Sequence, residues 1–80
     1  MENEWWLLYP NPSQDGRAML SWKHYQEGQK TLILRDVHGR VIMRQEVVIE
    51  GNFLELDWKD LDAGVYLFEV DGMRLRWVKS

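Results

Sequence analysis

The sequence predicts an all-β antiparallel sandwich of seven strands. Three observations lead to that fold class: apolar residues recur with a period of two, turn residues interrupt them every ~8–12 positions, and helical periodicity is nowhere sustained. Eighty residues suffice for one hydrophobic core and not for two. Residues 1–80 are therefore read as a single domain, with residues 1–4 as a flexible or expression-derived start. Five Trp, three Tyr and two Phe give a short chain without cross-links the apolar area it needs.

Residues 5–9 read as the first strand. Pro10-Asn11-Pro12-Ser13 ends it, because two prolines remove two backbone donors and fix two φ angles. After Gln14-Asp15-Gly16, the second strand puts Ala18, Leu20 and Trp22 on one face and Arg17, Ser21 and Lys23 on the other. Residues 24–29 are expected to form a polar loop. The third strand, 31–36, turns Leu32 and Leu34 toward the core and Ile33 away. In Asp36-Val37-His38-Gly39-Arg40, a carboxylate can accept amide hydrogen bonds across a turn in which Gly takes a positive φ. The connection to a fourth strand, 41–47, is thus a hairpin between antiparallel neighbours. Glu50-Gly51-Asn52 makes the next reversal, and on the fifth strand Leu54, Leu56 and Trp58 alternate with Glu55, Asp57 and Lys59. Residues 64–70 are apolar on both faces except at Glu69, as a central strand would be. Asp71-Gly72 then leads by a hairpin turn into the last strand, where Met73, Leu75 and Trp77 alternate with Arg74, Arg76 and Val78.

The connection before the sixth strand carries the most specific local signal. Asp62-Ala63-Gly64-Val65-Tyr66 fits a tyrosine corner, in which a buried Tyr hydroxyl bonds backbone at the end of an immunoglobulin-like sandwich. The alternative is an ordinary Gly turn followed by a strand Tyr. Leu61, just before the motif, is placed to plug the end of the core.

Composition removes several function classes. Ten basic against 13 acidic side chains give a formal charge of -3, which repels a phosphate backbone, so nucleic acid is not expected as a partner. No apolar run approaches the roughly 20 residues that span a bilayer, so membrane insertion is not expected either. Met1-Glu2-Asn3-Glu4 is acidic where an export signal is basic, and the chain is expected to be a fragment of a longer precursor. Without cysteine there are neither disulfides nor thiolate metal sites. His24 and His38 lack partners at ligand spacing, and Asp57, Asp60 and Asp62 suit backbone capping at a bend better than calcium. No metal or cofactor is therefore expected. Ser13, Ser21 and Ser80 have no Gly-x-Ser-x-Gly surroundings, and a thin sandwich leaves little room for a cleft. No catalytic residue and no enzymatic activity is expected.

Three pieces occur in order: Leu8-Tyr9-Pro10-Asn11-Pro12-Ser13, then Asp36-x-x-Gly39-Arg40, then Leu61-x-x-Gly64-Val65-Tyr66. Together, over residues 5–79, they resemble the type A C-terminal sorting domain of proteins exported by the bacterial type IX secretion system. The resemblance implies a seven-stranded immunoglobulin-like sandwich at the C-terminal side of a larger cargo. It also implies passage through the periplasm of a Bacteroidetes cell and delivery by an outer-membrane translocon to the outer membrane, cell surface or extracellular space. In many members a sortase-like peptidase then removes the domain, with a cut before the first strand. Carried over by position, Tyr9, Pro10, Asn11, Pro12, Asp36, Gly39, Arg40, Leu61, Gly64 and Tyr66 match the family framework. Arg74, Leu75, Arg76, Trp77, Val78 and Lys79 match the end read by the translocon. The chain departs from the pattern in its high Trp count and in having little apolar sequence after Lys79.

Two features admit rival readings. Arg74, Arg76 and Lys79 can form a patch that steers an acidic partner, or can be the charge that keeps an edge strand from pairing with other chains. Trp5-Trp6 points neighbouring rings to opposite faces, so one of them can serve a carbohydrate-binding module as a stacking platform. Trp22, Trp58 and Trp77 fall on alternations that predict core positions instead. A structural spacer of the fibronectin type III kind is the third reading.

Overall fold

The computed structural model describes residues 6–23 and 28–80. Seven strands follow in chain order: β1 (Trp6–Tyr9), β2 (Arg17–Trp22), β3 (Gly28–Asp36), β4 (Val41–Ile49), β5 (Phe53–Asp57), β6 (Gly64–Val70) and β7 (Met73–Lys79). They form two antiparallel sheets, one of three strands in the order β1-β2-β5 and one of four in the order β4-β3-β6-β7. Among the described residues there is no helix.

The period-two pattern does the work expected of it. Trp6, Leu8, Ala18, Leu20, Trp22 and Leu56 are buried on the smaller sheet, and Leu32, Leu34, Ile49, Tyr66, Phe68, Val70 and Trp77 on the larger one. Alternate residues of each strand thus close one core between two layers, the arrangement of a β-sandwich. Aromatic rings fill its depth: Trp6 meets Trp22 at 5.4 Å between ring centroids, and Trp58 meets Trp77 edge-on at 4.9 Å. β6 is an interior strand, between β3 and β7, with Tyr66, Phe68 and Val70 in the core and Val65, Leu67 and Glu69 half-buried on the outer face.

Several boundaries differ from the sequence expectation. β3 begins at Gly28, not at residue 31, so Gly28 and Gln29 belong to a strand; residues 24–27 of the expected loop lie outside the described residues. The cause is the partner strand: β4 continues to Ile49, whose burial in the core draws Gly28 into register opposite it. Gln29 and Thr31 then share the carboxylate of Glu46 across the pair. β5 ends at Asp57, because the next amide, Trp58 N–H, leaves the ladder to donate to Gly16 O at 2.9 Å. Trp58 itself remains in the core. Trp5, expected to open the first strand, lies outside the described residues.

Candidate functional site

The C-terminal ribbon is built from a tight turn outward. Asp71 (φ 51°) and Gly72 (φ 76°) both occupy the left-handed region, which a two-residue hairpin of this twist requires. Lys30 Nζ lies 2.8 Å from Asp71 Oδ2 and ties the turn to β3. From there β7 runs antiparallel to β6, with Tyr66 opposite Trp77 and Glu69 opposite Arg74. β7 is an edge strand of the larger sheet.

An edge strand presents unpaired backbone groups, and here the segment between β1 and β2 covers part of them. Asn11 acts as a strand residue with its side chain: its Nδ2 donates to Arg76 O at 2.6 Å, and Val78 N–H donates to its Oδ1 at 3.0 Å. Two residues on, Ser13 N–H donates to Val78 O at 2.7 Å and Ser80 N–H to Ser13 O at 2.8 Å, a parallel bridge beside Lys79. Prolines on either side of Asn11 have no N–H to compete for these acceptors; both X-Pro bonds, Tyr9-Pro10 and Asn11-Pro12, are cis.

Ser13 is the buried hub of this clasp. Its Oγ donates to Arg17 O at 2.9 Å and accepts from Gly16 N–H at 3.1 Å. Asp15 closes the same turn by accepting from Arg17 N–H at 2.9 Å, and that backbone hydrogen bond, the strongest influence on it, holds its carboxyl below the ordinary value. Gly16 sits against the next turn so tightly that a Cβ would lie 2.6 Å from Lys59 Cα, and its φ of 83° favours Gly besides. On the far side, Lys79 Nζ donates to Lys59 O at 2.6 Å and also to Leu61 O.

The framework residues carried over from the resemblance fall into three local devices. The first is the clasp just described. In the second, Asp36 Oδ1 accepts from His38 N–H (2.9 Å) and Arg40 N–H (3.0 Å), while Arg40 Nε donates to Asp36 Oδ2 at 2.9 Å. Gly39 takes a φ of 87° and donates its N–H to Asp36 O. Desolvation raises the Asp36 carboxyl, but the hydrogen bonds from Arg40 and His38 outweigh it, and the net shift is downward. In the third device Tyr66 Oη donates to Asp62 O at 2.5 Å, the bond of a tyrosine corner. Burial, then the neighbouring Asp62 and Asp36, raise the Tyr66 hydroxyl above its ordinary value. Leu61 packs partly buried against the core at the same end.

The six terminal residues divide between two faces. Trp77 is fully buried, Leu75 and Met73 pack partly buried against the core, and Lys79 spends its ammonium on loop carbonyls. The expected trio of exposed cations is therefore a pair, Arg74 and Arg76, beside Val78 on the outer face. Arg74 stands 3.9 Å from Glu69 Oε2. As for the tryptophan platform, Trp6, Trp22, Trp58 and Trp77 all belong to the core, and Trp5 lies outside the described residues.

Other candidate chemistry resolves into structure. Asp57 Oδ1 accepts from Lys59 N–H at 3.1 Å and so caps the bend. Among the described residues no group of three His, Cys, Asp or Glu side chains is placed to hold a metal. An open depression of about 620 Å³ on the smaller sheet is bordered by Tyr9, Asp15, Arg17, Glu55 and Asp57.

Sequence reasoning missed Ser13 and the clasping role of Asn11. The available signal was the run Pro-Asn-Pro-Ser followed by Asp-Gly, which concentrates side-chain acceptors where the chain has given up its own donors. No curated protein matches the chain in sequence. The family model described as the secretion system C-terminal sorting domain matches residues 7–80, all but the first six. The chain thus belongs to the C-terminal sorting domain family of type IX secretion.

Proposed function

We propose that the outer-membrane type IX translocon reads this domain mainly through β7. Arg74, Arg76 and Val78 are the residues offered to it on the outer face, while Leu75, Trp77 and Lys79 hold the ribbon from within. The observation that carries this reading is the clasp: Asn11 and Ser13 fix the outer edge of β7 from Arg76 to Ser80, so the ribbon meets a partner with one defined shape. Preorganisation of that kind lowers the entropic cost of docking. A cargo lies N-terminal to the domain in the precursor and travels with it through the periplasm to the outer membrane, cell surface or exterior. In those precursors of the family from which the domain is removed, a sortase-like peptidase of the same system makes the cut before the first strand.

The domain acts by being bound and has no catalytic role. The immunoglobulin-like assignment is supported by the three-plus-four division of strands, the crossings between sheets after β2, β4 and β5, and the Tyr66 bond at the last of these. The decisive experiment fuses the 80 residues to an exported reporter in a type IX-competent host and compares the native domain with Arg74→Glu/Arg76→Glu. Surface display is expected to fall while the purified variant still melts cooperatively; normal display would remove β7 as the element read.

A further inference from the structure

The outer face of the four-stranded sheet carries a charge distribution that reaches well beyond β7. Strand register places Arg44, Ile33, Glu69 and Arg74 there in one row across all four strands. The adjacent row holds Arg35, Leu67 and Arg76, and Val65 and Val78 follow. Four arginines thus face solvent around one carboxylate. Including Glu46, one row further out and bonded by Gln29 and Thr31, the face sums to 4 − 2 = +2 on a chain whose total is -3.

These cations are unevenly satisfied. Arg35 is committed to Glu69 and to Gly39 O. Arg44 and Arg76 have no ion-pair partner among the described residues, and Arg74 is largely exposed. Arg44 belongs to β4 and Arg74 and Arg76 to β7, the two edges of the sheet, about 14 Å apart at the usual strand spacing. Between them lie half-buried Ile33 and Leu67 and the Arg35–Glu69 ion pair, and exposed Val41 and Ile42 adjoin.

Resting on the sorting function proposed above, we infer that this whole sheet face, and not β7 alone, docks an acidic protein surface of the secretion machinery. Carboxylates meet Arg44 at one edge and Arg74 and Arg76 at the other, across a centre of Ile33, Leu67 and the Arg35–Glu69 pair. That pair is mutually neutralised, which leaves the edge arginines as the cations open to partner carboxylates. A single phosphate headgroup cannot reach both edges, and a nucleic acid meets net repulsion from the rest of the chain.

The test uses the reporter fusion with four domains: native, Arg44→Glu, Arg74→Glu/Arg76→Glu, and Lys23→Glu, which reverses an exposed charge at the end of the other sheet. Arg44→Glu is expected to lower surface display about tenfold, as the double variant does, and Lys23→Glu to leave it unchanged. Native display from Arg44→Glu with failure of the β7 variant would overturn the face proposal and leave the β7 reading standing. Native display from both would remove the two together. Equal loss from Lys23→Glu would assign the effect to net charge and overturn the proposal. Should Arg44→Glu not melt cooperatively, Arg44→Gln replaces it with the same outcomes. Arg44-dependent binding of the purified domain to phosphatidylglycerol vesicles would reassign the surface to a membrane, which also overturns it.

Discussion

Asp36 holds its turn with one carboxylate that accepts two amides and a guanidinium. Because its folded-state pKa lies below the ordinary 3.8, it contributes stability that is present above that value and is lost as pH falls through the lower folded value. Asp36→Asn keeps an acceptor for the amides and removes the charge. The variant is expected to be less stable than the native domain at neutral pH, with the gap beginning to shrink near pH 3.8 and closing only below the lower folded value, measured by denaturant unfolding at several pH values. This device was legible in the sequence because every partner lies within four residues, as was Tyr66 with Asp62. Asn11 and Lys79 were not, since their partners are 65 and 67 residues away for Asn11 and 20 and 18 for Lys79. A spacing rule sees the first kind of contact and cannot see the second.

At the scale of elements, the seven strands and both hairpins follow from alternation and turn chemistry, while the ends of β3, β4 and β5 do not. Those ends are set by what lies opposite: Ile49 lengthens β4 to reach the core, and Trp58 leaves β5 to bond Gly16. The clasp on β7 is likewise an agreement between two distant segments. Removing the Asn11 amide leaves Arg76 O and Val78 N–H without that partner, and solvent then competes for the edge. In Asn11→Ala, hydrogen exchange at Val78 is expected to accelerate by an order of magnitude or so, about 1–1.5 kcal/mol of local protection, with amides in β3 little changed. Unchanged exchange at Val78 would mean that the side chain does not hold the ribbon.

For the whole molecule the central quantity is how much of a thin two-layer core rests on aromatic rings. Trp77 is fully buried and contacts both Trp58 and Tyr66, so it joins β7 to the smaller sheet's end of the core and to the tyrosine corner. Trp77→Ala is expected to cost about 3–5 kcal/mol, a large part of the stability of a domain this small, measured by chemical unfolding. Trp77→Phe should cost much less, because Trp77 Nε1 is buried with no hydrogen-bond partner among the described residues and its loss leaves no donor unpaired. The burial pattern that makes this prediction possible was already present in the alternation of Met73, Leu75 and Trp77.

One end of the sandwich is completed only when Asn11 and Ser13 find Arg76, Val78 and Ser80. The earliest and latest portions of the domain must therefore both have been synthesised before either is finished, and a chain that stops short of β7 leaves its opening segment without a mate. Chain order thus delays the clasp: its two halves lie 65 and 67 residues apart, and that end of the sandwich stays open to solvent until β7 has joined the sheet.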